Sequence, residues 1–149
     1  MSQRVLEVEY YQCKVADKPG ESRKMLEFLS EKQVNLMAFN SYPRGEGISQ
    51  LDFFPEDPEA LKQAAGDAGI ELTGPIKAFL LQGEDKVGAL YDTHLKLSNA
   101  GVNITASTGI VDGTGRFGYI VWVSKAEYEK AAEALKSSDW RTIQTSPRK

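Results

Sequence analysis

The chain has 149 residues with a formal net charge of −3, of which 41% are hydrophobic and 26% charged. This composition is typical of a soluble globular protein, and the acidic charge argues against a nucleic-acid partner, since phosphate binding needs a clustered basic surface. No apolar run approaches the ~20 residues of a membrane span, and the N-terminus lacks the apolar segment of a signal peptide. We therefore expect a cytoplasmic protein that does not contact membranes. The single cysteine, Cys13, excludes an intramolecular disulfide.

The first half of the chain predicts six elements in the order β-α-β-β-α-β. Alternating apolar residues rich in Val, Tyr and Phe predict strands, and a one-sided apolar pattern predicts helices. The elements are a strand over 4–15, a helix over 21–32, strands over 34–42 and 48–54, a helix from the cap Asp57 to Gly69, and a strand over 70–72. Gly74-Pro75 is expected to break the chain there.

The second half predicts the same order again. The elements are a strand over 76–82, a helix over 89–99, strands over 102–111 and 117–123, a helix from Ser124 to about 136, and a strand over 140–144. Ser124 and Glu127 have the spacing of a capping box. We predict an α+β protein of two tandem βαββαβ, ferredoxin-like modules over residues 1–73 and 74–149. Each module is expected to form a four-stranded antiparallel sheet with two helices on one face.

A direct repeat supports the two modules. Residues 17–36 recur at 85–104 without a gap, at an offset of 68 residues, the distance from Gly20 to Gly88. Identical residues at this offset include the pairs Asp17 and Asp85, Lys18 and Lys86, Leu29 and Leu97, Val34 and Val102, and Asn35 and Asn103.

The repeated stretch resembles the ACT-domain family. The resemblance rests on Asp-Lys-Pro-Gly at 17–20, the apolar-patterned helix after it, Val-Asn-Leu at 34–36 and Gly-Val-Asn-Ile at 101–104. It covers residues 6–144 as two tandem ACT modules without a catalytic domain. It implies a stand-alone regulatory protein that binds a free amino acid at the turn between the first strand and first helix, at an interface between modules. It also implies a homodimer.

The resemblance assigns ligand-binding positions in each copy. They are Asp17, Pro19, Gly20, Glu21 and Asn35 in the first copy and Asp85, Val87, Gly88, Ala89 and Asn103 in the second. Each copy departs from the family pattern: Ser22 and Gln33 replace an apolar residue and a glycine, and Val87 replaces a proline. Whether one site or both function is left open. If only one does, we expect it around Asp85 and Gly88, with Asn103 opposite.

The chemistry of these residues fits a zwitterion, although a local role is also open. Free N–H groups at a helix N-terminus accept a carboxylate, and an aspartate accepts bonds from an α-ammonium. Alternatively, Asp17 and Asp85 cap turns, and the two asparagines bond only to nearby backbone.

The sequence lacks the common motifs of metal sites and enzymes. The chain has no Cys/His metal spacing, P-loop or nucleophile elbow, so we expect no metal, no cofactor and no enzymatic activity. The glycine pattern at 113–118 is followed by a strand rather than a helix, which favours a hairpin over a dinucleotide site. The alternatives are a protein–protein interaction module without a small ligand and a small ferredoxin-like hydrolase of acyl phosphates, for which the turns offer only Lys18, Arg23 and Lys86.

Overall fold

The computed structural model describes residues 3–141. Within them lie seven strands, four α-helices and one 3₁₀ helix. None of these helices is long and apolar enough to cross a membrane. In chain order the elements are β1 Arg4–Ala16, α1 Glu21–Glu31, β2 Leu36–Gly45, β3 Ile48–Pro55, α2 Pro58–Ala68, β4 Thr73–Glu84, α3 Tyr91–Asn99, β5 Ile104–Val111, β6 Arg116–Val123, the 3₁₀ helix Lys125–Glu127, α4 Tyr128–Leu135 and β7 Ser138–Asp139. The α+β class with antiparallel strand pairs and four helices agrees with the prediction.

The chain divides into two compact units. We call Glu9–Ile76 the central unit and the described parts of Met1–Val8 and Lys77–Lys149 the terminal unit. Strands β1 and β4 each contribute residues to both units. The module boundary predicted between 73 and 74 rests on the repeated sequence and stays a prediction.

In the central unit, β3 pairs antiparallel with both β1 and β2. Phe53 lies opposite Tyr11 on one side and Phe39 on the other. Apolar residues at alternate strand positions therefore share one sheet face, where they meet the apolar sides of α1 and α2. The buried core comprises Tyr11, Cys13, Leu29, Val34, Leu51, Phe53, Leu61 and Ala64.

The terminal unit is built in the same way around β6, which pairs antiparallel with β4 and β5. Tyr119 lies opposite Leu81 and Gly109. β7 pairs with β1 in parallel, with Ser138 beside Leu6. The buried core comprises Phe79, Leu81, Leu97, Val102, Phe117, Tyr119, Val121, Tyr128, Ala131 and Leu135.

The repeat is visible in backbone hydrogen bonds. The Asp17 N–H donates to the Gly47 carbonyl at 2.8 Å, and 68 residues later the Asp85 N–H donates to Gly115 at 2.9 Å. Gly47 and Gly115 belong to the two hairpin turns and both have positive φ, 75° and 85°. Each bond ties the turn after β1 or β4 to the following hairpin, so the two loops are held in the same way.

The ends of α1 and α3 also match. The Val34 N–H donates to the Leu29 carbonyl and the Val102 N–H to the Leu97 carbonyl, both at 2.9 Å. With the bonds Gln33 to Ser30 and Gly101 to Ser98, both at 3.0 Å, these form a Schellman motif. The prediction that strands begin at 34 and 102 is therefore wrong by two residues, because both valines close helix ends.

Strand β4 differs from the prediction. Residues 70–72 form no strand, and one strand runs from Thr73 through Gly74-Pro75 to Glu84. Gly74 does not break it but allows a close approach: a β-carbon there would lie 2.8 Å from the Tyr10 carbonyl oxygen and 2.9 Å from Tyr11 Cδ1. The proline is tolerated because it sits near the start of the strand.

Two further predictions near the C-terminus are wrong. Ser124 makes no side-chain cap; the Glu127 N–H donates to the Ser124 carbonyl at 3.1 Å, and a 3₁₀ turn precedes α4. Trp140 and Arg141 lie beyond the short strand β7 rather than in a strand, and the rest of the predicted strand, 142–144, is outside the described residues. The Trp140 N–H nevertheless donates to the Glu7 carbonyl at 3.2 Å.

Candidate functional site

The first turn, residues 17–21, is occupied by its own side chains. The Asp17 carboxylate accepts a hydrogen bond from Ser49 Oγ at 3.0 Å. Glu21 begins α1 and lies 3.6 Å from the ammonium groups of both Lys18 and Lys24. These groups are solvent-exposed in part, so the pairs add little stability, but they leave both carboxylates of this turn with protein partners.

The other first-copy positions have structural roles or face solvent. Gly20 has φ 91°, a left-handed conformation that favours glycine, and it caps α1. Pro19 is exposed. Asn35 is exposed as well, and its backbone carbonyl accepts from the Glu56 N–H at 3.0 Å.

The second turn, residues 85–89, leaves its carboxylate unpartnered. Within residues 3–141, the Asp85 side chain has neither a hydrogen bond nor an ion pair. The difference follows from the repeat, because the position equivalent to Ser49 is Phe117. A benzyl side chain cannot donate the bond that Ser49 donates to Asp17, so Asp85 keeps its acceptor capacity.

Asp85 lies at a cleft of about 580 Å³, which we call the α3 cleft. Asp85 and Lys86 are the charged residues among those that line it. The others are apolar residues and glycines from the turn, from the start of α3 and from β5 and β6. Among residues 3–141 the lining comprises Asp85, Lys86, Gly88, Ala89, Leu90, Tyr91, Gly109, Ile110, Val111, Phe117 and Gly118.

Backbone donors are also present at the cleft. Gly88 has φ 79°, and α3 begins three residues after it, at Tyr91. The Tyr91 N–H donates to the Gly88 carbonyl at 3.0 Å, whereas the N–H groups of Gly88 and Leu90 have no acceptor within residues 3–141. Donors at the start of a helix suit a carboxylate.

The space in the cleft next to Leu90 and Tyr119 exists because Gly109 has no side chain. A β-carbon there would lie 3.1 Å from Tyr119 Cδ1 and 3.6 Å from Leu90 Cδ1. Tyr119 is fixed in turn, since its hydroxyl lies 2.6 Å from His94 Nε2 on α3. This pair holds the helix against the sheet beside the cleft.

The structure brings together part of the predicted second site. Asp85, Gly88 and Ala89 line the α3 cleft. Val87 does not line it, and its side chain is fully exposed. Asn103 lines a separate cavity with His94, Ser98 and Ser107. A cavity in the central unit, lined by Gln12, Lys14, Met25, Glu71 and others, includes none of the five first-copy positions.

Sequence reasoning missed the apolar wall of the cleft, which consists of Leu90, Val111 and Phe117. Neither these residues nor Tyr91 and Ile110 are among the ligand-binding positions that the sequence predicts. The repeat contained a signal, because Phe117 and Leu90 stand where the first copy has Ser49 and Ser22. No group of three or more His, Cys, Asp or Glu residues between 3 and 141 is placed to hold a metal ion.

Comparison with known proteins gives structural neighbours but no sequence family. No family model and no curated protein matches the chain. The structure is similar to protein BT0572 of Bacteroides thetaiotaomicron, with a TM-score of 0.76 and 19% identity over 89% of this chain and 88% of that one. It is also similar to the regulatory subunit of aspartate kinase from Thermus thermophilus in a ligand-free form, with a TM-score of 0.58 and 18% identity over 91% of this chain and 93% of that one. For the regulatory subunit of aspartate kinase from Thermus flavus, the TM-score is 0.55 and the identity 17% over 91% of this chain and 94% of that one. At these identities the likeness concerns the fold, and it supports the ACT-type fold that the sequence predicts.

Proposed function

We propose that this is a non-enzymatic regulatory protein of two tandem ACT-type modules that binds a free α-amino acid in the α3 cleft. The observation that carries the proposal is the Asp85 carboxylate, which lies at the cleft without a partner within residues 3–141. An unpaired carboxylate beside an apolar wall is suited to an α-ammonium group, because such a charge-assisted hydrogen bond is stronger than a neutral one.

The cleft also offers groups for the other end of a zwitterion. Lys86 lines it, and the N–H groups of Gly88 and Leu90 are available at the start of α3. A carboxylate near these donors gains from the positive end of the helix dipole. Both charges of an amino acid therefore have partners of opposite sign on one turn.

We propose a single working site per chain. The equivalent turn of the first copy holds its carboxylates in the Asp17–Ser49 hydrogen bond and in the ion pairs of Glu21. A ligand there would have to displace these partners, whereas at Asp85 it would not. The predicted positions Asp17, Pro19, Gly20, Glu21 and Asn35 are then structural, and Asn103 and Val87 take no part.

A regulatory role is supported by the fold. Two neighbours with the same fold are described as regulatory subunits of aspartate kinase. A bound amino acid changes the state of the protein only if it binds one arrangement of modules more tightly than another. The predicted location of the site at a module interface stays a prediction.

We also propose that the functional form is a homodimer. Four large apolar side chains around the cleft are exposed, with exposed fractions of 104% for Val87, 74% for Ile110, 67% for Tyr91 and 52% for Val111. Three of these, Tyr91, Ile110 and Val111, line the cleft itself. Exposed apolar patches of this kind mark interaction surfaces, and a second copy over this patch would also enclose the ligand.

A thermal-shift titration with each of the twenty amino acids tests the amino-acid proposal. We expect at least one to raise the melting temperature at millimolar concentration, because a ligand that binds only the folded state stabilises it by mass action. Asp85→Asn should abolish the shift. The matched control is Asp17→Asn, which removes the same charge from the equivalent turn and should leave the shift unchanged. If no amino acid gives a shift, or if Asp17→Asn abolishes it while Asp85→Asn does not, the proposal fails.

A further inference from the structure

We infer that the ligand is an α-amino acid with a branched aliphatic or aromatic side chain, selected by an apolar wall that only the second copy of the repeat possesses. The inference rests on the proposed function, since it concerns the side chain of an amino acid whose charged groups are held by the turn at Asp85.

The lining of the cleft divides into a charged end and an apolar wall. Asp85 and Lys86 come from the turn, whereas Leu90 comes from the start of α3, Val111 from β5 and Phe117 from β6. Both charges belong to adjacent residues of one turn, and the rest of the lining is uncharged. A zwitterion held there must direct its side chain toward the apolar residues.

The first copy shows that the fold does not require this wall. At the offset of 68 residues, Leu90 corresponds to Ser22, Tyr91 to Arg23 and Phe117 to Ser49. The first-copy residues include hydroxyl groups and a cation, and Ser49 and Arg23 bond within their own turn or helix. The same backbone thus accepts polar residues at these positions. Leu90 and Phe117 also pack in the core of the terminal unit, but the first copy shows that the repeated backbone does not require apolar residues at these positions.

A glycine keeps space beside the wall. On the face of the sheet that α3 covers, a β-carbon on Gly109 would lie 3.6 Å from Leu90 Cδ1 and 3.1 Å from Tyr119 Cδ1. Any larger residue at 109 would therefore fill part of the cleft beside Leu90. The next β5 residue, Ile110, pairs with Gly118 of β6. Because side chains alternate along a strand, both of these positions face the opposite side of the sheet and add nothing to the wall.

The expected selectivity follows from the burial of apolar surface. Each buried methylene strengthens binding by about fourfold. Leucine has three more carbons than alanine, and in an open cleft it should bind at least about tenfold more tightly. Valine and threonine have the same shape, but the threonine hydroxyl would lose water against the wall, so we expect valine to bind about tenfold more tightly than threonine.

Isothermal titration of the full chain with leucine, valine, alanine, threonine and lysine tests the inference. We expect leucine and valine to bind most tightly. Val111→Ser should weaken leucine binding severalfold while changing alanine binding little, because alanine does not reach the wall. Val111 is half-exposed, so the variant should fold normally, and Ile48→Ser in the central unit is the matched control, expected to leave leucine binding unchanged.

One result would overturn only the inference on the side chain, and another would overturn the proposed amino-acid site itself. If threonine or lysine binds as tightly as leucine, and Asp85→Asn abolishes that binding, the inference on the side chain is overturned while the amino-acid site stands. If leucine binding survives in Asp85→Asn and N-acetyl-leucine binds equally well, the ammonium contact is absent and the proposed function itself is overturned.

Discussion

The aspartates of the two equivalent turns differ in their hydrogen bonds because one neighbouring residue differs. Asp17 and Asp85 hold the same position in the repeat, and both donate their N–H to a hairpin glycine. Ser49 donates a hydrogen bond to the carboxylate of Asp17, whereas Phe117 cannot do so for Asp85, whose carboxylate has no partner among residues 3–141. The repeated sequence predicts that the two turns are alike. The side chain across the hairpin therefore decides which of the two carboxylates keeps its full capacity to accept hydrogen bonds.

Position 33 offers a prediction at the same scale. Gln33 has φ 58° where its counterpart Gly101 has φ 74°, and both residues occupy the left-handed position of the same Schellman motif. A residue with a β-carbon is strained there, and Gln33 is exposed, with no packing role to offset the strain. Gln33→Gly should therefore raise the free energy of unfolding by about 0.5–1 kcal/mol, after the entropy cost of glycine is deducted.

Chemical denaturation in urea measures this change. The reciprocal variant Gly101→Gln should lower the free energy of unfolding by a similar amount, since space is available there: the nearest atom to an added β-carbon is Lys130 Nζ at 3.9 Å. Gln33→Ala retains the β-carbon and should be neutral. A stability gain in Gln33→Ala equal to that in Gln33→Gly would show that the backbone is not the cause.

At the scale of elements, the two helices that follow a hairpin start differently. Asp57 caps α2 by accepting from the N–H groups of Glu59 at 3.1 Å and Ala60 at 3.3 Å. Ser124 has a suitable sequence for the same role before α4 but makes no such bond. In the 3₁₀ turn over 125–127, the Glu127 N–H already donates to the Ser124 carbonyl. That N–H is therefore not available to donate to the Ser124 hydroxyl.

The consequence is a difference in helix stability. We expect Asp57→Ala to lower the free energy of unfolding by about 1 kcal/mol, because two N–H groups lose their acceptor. Ser124→Ala should change it by less than about 0.5 kcal/mol. Thermal unfolding followed by circular dichroism compares the two, and a drop of about 2–4 °C is expected for Asp57→Ala. Equal losses in both variants would mean that Ser124 does cap α4.

For the whole molecule, the two hairpins expose different edges. β2 pairs only with β3, and β5 only with β6, among the described residues. β2 carries Pro43 and Arg44, which discourage pairing with another chain, whereas β5 contains no charged residue or proline over 104–111. An uncharged edge beside the exposed Ile110 and Val111 is open to pairing, and this supports the dimer proposed through this surface.

The oligomeric state tests that proposal. Ile110→Lys should convert the dimer into a monomer in sedimentation or light-scattering experiments, because a cation on this edge opposes pairing. Its counterpart 68 residues earlier is Tyr42, so Tyr42→Lys is the matched control and should remain dimeric. A wild-type chain that is monomeric at all accessible concentrations would contradict the homodimer without affecting the amino-acid proposal.

The sequence by itself determined the four α-helices, the two hairpins and the turn at Asp85, but not every strand. It could do so because hydrophobic periodicity, glycine turns and a gapless repeat are local properties of the chain. It misjudged the continuity of β4, the cap at Ser124 and the strand starts at Val34 and Val102, because these depend on which backbone groups find partners in three dimensions. Only the tertiary structure decided that Asn103 lines a separate cavity and that Leu90, Val111 and Phe117 form one wall of the cleft at Asp85. These residues come from one helix and two strands, and only their packing against one another brings them together.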